Sequence, residues 1–260
     1  MIPWNVLVTE VVKLRRTKIT WLSWLAFSVM PIAGGLFMWI VKEPERAARL
    51  GLLGQKARLA GFAADWSGYF TFLLQAELAG LILASVIAAY VFGREYSEGT
   101  AKNMLTLPVS RHWFTTAKLV VILGWWIFLT AAIVAEGLFV GWFLDLPGFS
   151  PSLMVESVRR ILIEALVIYL LVPVVAWIAV LGRGYLAPLG FTLFMLLLGN
   201  ILGATGWGKW FPWSIVPLVA GISGPRMETV ATGSIVVLVL TFILGITATI
   251  WQVRWSDNTQ

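Results

Sequence analysis

Four stretches of this chain contain no charged residue over the length that a helix needs to cross a lipid bilayer, and they are Ile19–Val41, Ala165–Gly182, Gly184–Gly208 and Thr229–Val253. A helix rises about 1.5 Å per residue, so about 20 apolar residues span a hydrocarbon core of roughly 30 Å. Apolar residues make up 59% of the chain and charged residues only 12%, whereas soluble domains carry about 25% charged residues. The sequence therefore predicts an all-α integral membrane protein.

Two further spans emerge if each is allowed one carboxylate, Glu77 in the second span and Glu136 in the third. The six predicted spans cover residues 19–41, 68–92, 118–143, 159–182, 185–205 and 230–253. The segment Phe211–Pro225 is apolar but short, and it contains three prolines. It is too short to cross, so we expect a re-entrant or interfacial hairpin before the last span.

Basic residues predict how the chain is oriented. Four of them precede the first span at Lys13, Arg15, Arg16 and Lys18, and such clusters stay on the cytoplasmic side. With six spans, both termini are then cytoplasmic in a multi-pass protein of the cell membrane. The net charge of +6 and the pI near 9.8 fit contact with anionic lipid head groups, and no nucleic-acid partner is expected.

The chain offers few groups for bond chemistry. It has no cysteine and one histidine, His112, which excludes disulfides and thiolate chemistry and argues against an intramembrane enzyme. The segment Gly203–Lys209 has the spacing of a phosphate loop, but Trp210 stands where that motif needs Ser or Thr. We therefore expect no catalytic residue, no bound metal and no nucleotide site in this chain.

Three carboxylates fall within the predicted spans, where a charge costs several kcal/mol unless it faces a partner or a cavity. Glu164 has a structural explanation, because Arg160 lies one turn earlier and a helix N-terminus favours an acid. Glu77 and Glu136 have no basic residue within reach on their own helices. They are either protonated structural residues or, with Glu164, lining of a substrate route. A channel or an ion- or proton-coupled secondary transporter that uses these glutamates is the alternative function.

Two glycine pairs with GxxxG spacing also lie in the predicted spans. They are Gly137/Gly141 and Gly199/Gly203. Such pairs let helices approach closely, so they indicate either a subunit interface or packing within the chain.

The connection after the second span is the most specific feature. It reads Gly93-Arg-Glu-Tyr-Ser-Glu-Gly-Thr100 and continues to Pro108. Gly99 breaks the helix, Thr100 can cap a new one and Pro108 stops it, which predicts a short cytoplasmic helix over residues 100–107. Ser110 can cap the next helix. At the N-terminus, residues 1–18 predict an amphipathic helix with Leu7, Val11 and Leu14 on one face.

The string REYSEGTAKNMLTLPVSRHWFTTAKL resembles the cytoplasmic signature of ABC-2 type permeases, the membrane subunits of ATP-driven exporters. The segment Glu10–Lys18 is similar to the amphipathic connecting helix of that family, and Phe211–Ser214 is similar to a recurring stretch before its sixth span. The six-span layout covers nearly the whole chain, so residues 1–260 are expected to form a single ABC-2 type transmembrane domain. Permeases of bacitracin- and lantibiotic-type self-resistance exporters are the most similar in pattern, and copper-maturation and sodium-export permeases share it.

The resemblance implies a half-transporter that works with two copies of a separate ABC ATPase and with a second permease, identical or paralogous. ATP and Mg²⁺ would be held by the ATPase. The cargo would be a hydrophobic or cationic peptide, antibiotic-like or lipid-like, moved outward. The residues expected to couple to the ATPase are Glu95, Tyr96, Ser97, Glu98, Gly99, Thr100 and Lys102.

Overall fold

The computed structural model describes residues 4–51, 63–100, 110–221 and 232–255. Within these ranges the chain forms helices joined by short turns. In chain order they are α1 (Trp4–Arg15), α2 (Lys18–Lys42), α3 (Pro44–Arg49), α4 (Trp66–Ser97), α5 (Arg111–Phe143), α6 (Pro151–Leu181), α7 (Leu186–Gly203), α8 (Pro212–Val219) and α9 (Thr232–Trp255). A single 3₁₀ turn at Gly208–Trp210 precedes α8.

Six of these helices, α2, α4, α5, α6, α7 and α9, are long and apolar enough to cross a membrane. The prediction of an all-α membrane protein with six spans is therefore confirmed. Helix α5 begins at Arg111, directly after the predicted cap residue Ser110, whereas α6 begins at Pro151, earlier than the predicted span. The Ser150 side chain accepts the N–H of Leu153 at 3.2 Å and caps α6. The start of α6 was missed because Glu156, Arg159 and Arg160 interrupt the apolar run near the beginning of that helix.

Helix α6 lies at the centre of the bundle, with its most extensive contacts to α4 and α9. The residues that fill this core are small or branched, and Ile168, Leu171 and Ala176 are fully buried. Helix α2 packs on α4 and α5, and α1 packs on α5. The outer faces of α2, α7 and α9 remain exposed and apolar, as expected for surfaces that contact lipid.

Consecutive spans run antiparallel, which gives the bundle two distinct ends. We call the end that carries α1, the last turn of α4 and the first turn of α5 the α1 end. At the opposite end, the Lys42 ammonium donates to the carbonyl oxygens of Leu144 and Asp145, both at 2.8 Å. The Trp66 N–H donates to the Pro147 carbonyl at 3.1 Å. These bonds fasten the ends of α2 and α4 to the α5–α6 connection.

The glycine pairs pack within the chain. A Cβ on Gly137 would lie 2.7 Å from Cδ1 of Leu73, and one on Gly141 would enter the ring of Trp66, so this pair brings α5 against α4. A Cβ on Gly199 would lie 2.7 Å from the Trp213 carbonyl oxygen. Both pairs therefore serve close helix packing inside one chain.

The segment before the last span contains the short helix α8, which is buried along Trp213, Ile215, Val216 and Val219. Eight residues rise only about 12 Å, too little to cross a bilayer. Residues 222–225, the rest of the predicted hairpin, lie outside the described residues. The phosphate-loop lookalike consists of the end of α7 and the 3₁₀ turn, and not of the strand, loop and helix that this motif requires.

Candidate functional site

Helix α1 is held against the bundle by a face that includes an acid. The buried residues of α1 are Val6, Glu10 and Leu14, which follow one another at helical spacing of four. Leu7 is partly buried, whereas Val11 is 46% exposed. The face that packs on the bundle is therefore centred on Glu10, and it differs from the predicted apolar face of Leu7, Val11 and Leu14. The predicted role of that apolar face at the membrane surface stays a prediction.

Glu10 is turned inward because two lysines meet it there. The Lys118 ammonium lies 3.3 Å from Oε2 of Glu10 and 3.0 Å from Oε1 of Glu95. The Lys13 ammonium lies 2.7 Å from Oε1 of Glu10 and 3.0 Å from the same oxygen of Glu95. Lys118 also donates to the Val91 carbonyl at 2.8 Å. We call Glu10, Lys13, Glu95 and Lys118 the ion cluster.

The ion cluster contains two carboxylates and two ammonium groups, so its formal charges cancel. Glu10, Glu95 and Lys118 are each less than a tenth exposed, and buried charges persist only when they are paired in this way. Burial alone would lower the pKa of Lys13, but the hydrogen bonds and charges of Glu10 and Glu95 outweigh it and raise that pKa above 10.5. The cluster joins three helices, α1, α4 and α5.

Lys118 was predicted only as the first residue of the third span, and no functional role was assigned to it. In the structure Lys118 lies two turns inside α5. The signal that could have found it was the predicted cap at Ser110, which does occupy the residue before α5 with extended backbone, although its side chain makes no capping bond. A helix that starts there places Lys118 among apolar neighbours.

Helix α4 ends in a defined motif. The Gly99 N–H donates to the Tyr96 carbonyl at 3.2 Å, and the Thr100 N–H donates to the Glu95 carbonyl at 2.9 Å. Gly99 has φ +68°, the left-handed conformation that glycine adopts without a steric penalty. The prediction that Gly99 breaks this helix is therefore confirmed. The helix expected over residues 100–107, including Lys102, lies outside the described residues beyond Thr100.

The residues predicted to couple to an ATPase lie in two different environments. Ser97, Glu98, Gly99 and Thr100 are exposed at the α1 end, while Tyr96 is partly buried against the core. Glu95 is 7% exposed and is bonded inside the ion cluster, so its carboxylate does not face a docking protein in this conformation. The Glu98 carboxylate is 46% exposed and pairs with Arg94 at 2.9 Å.

A cavity of about 500 Å³ opens between α1, the end of α4 and the start of α5. Its wall includes the whole ion cluster together with Asn5, Thr9, Arg94 and Glu98. The exposed end of α4 and the buried charges thus line the same space.

Glu136 lies between α2 and α5. Its Oε1 accepts the Trp24 indole N–H at 3.1 Å and the Ser28 hydroxyl at 2.8 Å, while its Oε2 is buried without a hydrogen-bond partner among the described residues. Glu136 thus helps to join α2 to α5.

Glu164 and Glu77 differ from Glu136. Glu164 is fully buried, and α6 begins at Pro151, so the explanation from a helix N-terminus is wrong. Arg160 donates to Glu156 at 2.7 Å. The backbone of Glu77 belongs to α4, but its side chain lies outside the described residues. The proposed substrate route through these glutamates stays a prediction.

The bundle and its charged junction define a multi-pass membrane protein with an exposed contact surface at its α1 end. Residues 6–199 match the ABC-2 family transporter proteins, and the chain belongs to this family. It is thus the membrane subunit of an ABC transporter, a class that works with an ABC ATPase at a membrane. Over 181 residues the chain is 32% identical to the bacitracin transport permease protein BCRB of Bacillus licheniformis. This match covers 69% of the chain and 86% of BCRB.

Proposed function

We propose that this chain is the permease subunit of an ATP-driven exporter and that its α1 end faces the cytoplasm. Two permeases, identical or paralogous, would form the membrane part, and two separate ATPase subunits would bind from the cytoplasm. ATP and Mg²⁺ would be held by the ATPase alone, and the chain would lie in the cell membrane as a single transmembrane domain. Family membership supports the ATPase partner, and the basic cluster before α2 supports the orientation.

The observation that carries this proposal is the ion cluster behind the exposed end of α4. A protein that pushes on Glu98–Thr100 from the cytoplasm moves the end of α4, and the cluster transmits that displacement to α1 and α5. Paired buried charges resist separation, because breaking such a pair leaves an uncompensated charge. ATPase movement would therefore shift three helices together.

For the cargo we propose a hydrophobic or cationic peptide, antibiotic-like or lipid-like, moved outward. The support is the relative named as a bacitracin transport permease. The surroundings of the intramembrane glutamates do not favour an ion-coupled transporter. Glu136 is already bonded to two neighbours and Glu164 is fully buried, so neither opens onto an ion path in this conformation.

Docking can be tested by reversing one exposed charge. Like charges at an interface cost several kcal/mol, so Glu98→Lys should lose most of the ATPase that co-purifies with the parent. Glu45→Lys makes the same change at the opposite end, where Glu45 is exposed, and should keep the ATPase. ATP-driven cargo uptake into inverted vesicles should fall only in the first variant. Equal ATPase capture by both variants would place docking elsewhere.

Orientation can be tested separately because the chain has no cysteine of its own. In intact cells a membrane-impermeant maleimide should label Glu45→Cys and leave Ser97→Cys unlabelled until the membrane is opened. Labelling of Ser97→Cys from outside would reverse the proposed orientation. Photo-crosslinking of labelled ATP to the purified chain alone should give no product, and a specific product would contradict the assignment of nucleotide to the ATPase.

A further inference from the structure

An apolar groove of about 630 Å³ lies on the membrane-facing side of the bundle, between α6 and α9. Trp177 of α6, Trp251 of α9 and Trp213 of α8 contribute its aromatic walls. Leu244 and Trp251 are 66% and 58% exposed at its edge. None of the residues that line the groove belongs to the ion cluster.

The floor of the groove follows from one glycine. A Cβ on Gly245 would lie 2.7 Å from the Val174 nitrogen, so glycine lets the two helix backbones touch there. Behind it, the Thr249 hydroxyl bonds the Pro173 carbonyl at 3.2 Å. The contact of the two backbones at Gly245 forms the floor of the groove, and Leu244 and Ala248 of α9 also line it.

The groove is unsuited to water. The two hydroxyls in its wall donate within α9, Thr241 to the Val237 carbonyl at 2.7 Å and Thr247 to the Ile243 carbonyl at 2.9 Å. The buried Trp213 indole N–H has no hydrogen-bond partner among the described residues, but it is a single donor. A buried water needs at least two polar partners, and an apolar space without them stays dry. Within a bilayer the available filler is hydrocarbon, which restores the dispersion contacts that an empty groove lacks.

The length and position of the groove match one leaflet. From Thr241 to Trp251 the helix rises about 15 Å, which is half of a hydrocarbon core of roughly 30 Å. Trp251 lies in the last turns of α9, at the α1 end, where an indole is favoured beside lipid head groups. The groove therefore extends from the head-group level at the α1 end to about the middle of the membrane.

Positive charge lies at the α1 end of the groove. The Arg111 guanidinium lies 3.4 Å from the Val253 carbonyl, just beyond Trp251, and Arg183 follows the end of α6. Basic residues at the membrane surface attract anionic lipids by about fivefold each. We propose that the groove binds one acyl chain of an anionic phospholipid from the leaflet at the α1 end, with the head group beside Arg111 and Arg183.

The test uses the full chain in lipid nanodiscs that contain a brominated phospholipid, either phosphatidylglycerol or phosphatidylcholine. Bromine atoms quench the fluorescence only of tryptophans that they contact. The fluorescence contributed by Trp177 is the difference between the signals of the parent and of Trp177→Phe. This share should be quenched several-fold more by the anionic lipid. The share of Trp142, which is 77% exposed at the opposite end, should be quenched equally by both lipids.

Three variants locate the effect. Ala248→Phe places a ring in the groove and should remove the anionic preference at Trp177, while Ala131→Phe, on an exposed face of α5, should retain it. Arg111→Gln should weaken the preference about fivefold. Arg159→Gln, which removes an exposed arginine at the opposite end, should not.

Three results would overturn the proposal. They are equal quenching of Trp177 by both lipids, a preference that survives Ala248→Phe, and disulfide formation between two copies of Thr247→Cys, which would assign the groove to a second chain. If Ala248→Phe fails to fold, the Arg111→Gln and Trp177→Phe measurements still decide. None of these measurements requires an ATPase or transport.

Discussion

Replacing Lys118 by methionine should release α1 from the bundle without unfolding the six spans. The change keeps the length and apolar stem of the side chain but removes the ammonium that lies 3.3 Å from Glu10 and 3.0 Å from Glu95. It also removes the hydrogen bond to the Val91 carbonyl. Two buried carboxylates then share only Lys13.

The magnitude follows from what else holds α1. Removing one partner of a buried ion pair costs about 3–5 kcal/mol. Apart from the cluster, α1 buries Val6 and Leu14, each contributing about 1.5–3 kcal/mol. Because these quantities are similar, undocking of α1, which lets Glu10 reach water, relieves the cost more cheaply than unfolding. A loss of about 3 kcal/mol raises the undocked population about a hundredfold.

Undocking can be read from a single cysteine. Val6→Cys, at a position only 8% exposed, should react slowly with maleimide in the parent and about a hundredfold faster with Lys118→Met. Lys18→Met removes an exposed lysine at the same end and should leave the rate unchanged. Adding Glu95→Gln to Lys118→Met restores charge balance, so the double variant should recover most of the protection.

This reasoning is refuted if Val6→Cys stays protected from maleimide in the Lys118→Met variant while that variant melts at the same temperature as the parent. The pH dependence gives a second check through Lys13. Its raised pKa means that its contribution to docking is complete below 10.5 and is lost only as the pH rises through the folded-state value. The protection of Val6→Cys from maleimide should therefore stay constant through neutral pH and decrease only in strong alkali. Each labelling rate is divided by that of the exposed Ser97→Cys at the same pH.

The remaining predictions concern three positions. Gly99→Ala forces an ordinary residue into φ +68° and should cost about 1–2 kcal/mol of stability. Because a Cβ there meets nothing within 4 Å, the cost comes from the backbone, and Gly99→Asn should lower the melting temperature less than Gly99→Ala does. Equal melting temperatures of these two variants would contradict a backbone cause. Gly141→Ala places a methyl in the ring of Trp66 and should cost about 1–3 kcal/mol, whereas Gly124→Ala, in open space on the same helix, should be neutral or stabilising. Glu136→Gln keeps an acceptor for both donors and should melt like the parent, while Glu136→Leu should lose about 1–3 kcal/mol; equal melting of the two variants would show that these hydrogen bonds do not contribute.

The sequence was sufficient for the spans because the bilayer imposes them. Lipid requires long apolar helices, so the charge-free runs predicted α2, α7 and α9 directly. The start of α5 was predicted from the cap position at Ser110, whereas the start of α6 was missed because Glu156, Arg159 and Arg160 interrupt the apolar run near its beginning. Gly99 was predicted correctly because a helix end with a left-handed residue is a local property of the backbone.

The ion cluster could not be predicted, because it depends on which faces of three helices meet. Glu95 resembled a solvent-exposed acid in the sequence, and nothing local shows that Lys118 lies opposite it. The same applies to Glu10, whose inward position reverses the simple apolar pattern of α1. Helix packing decides which residues pair across long sequence separations, and the periodicity along a single helix does not predict those pairs.

Helix α4 runs for 32 residues without proline, from an Asp65 cap that accepts the Gly68 N–H at 2.7 Å to the turn at Gly99. Helices α2 and α6, by contrast, contain Pro31 and Pro173, where a helix bends most easily. At 1.5 Å per residue α4 is a stiff lever of about 48 Å, longer than the membrane is thick. Pivoting it by about 5° at one end displaces the other by about 4 Å, roughly three quarters of a helical turn. A movement imposed on α4 at the α1 end therefore reaches Trp66 and, through its bond to Pro147, the α5–α6 connection at the opposite end.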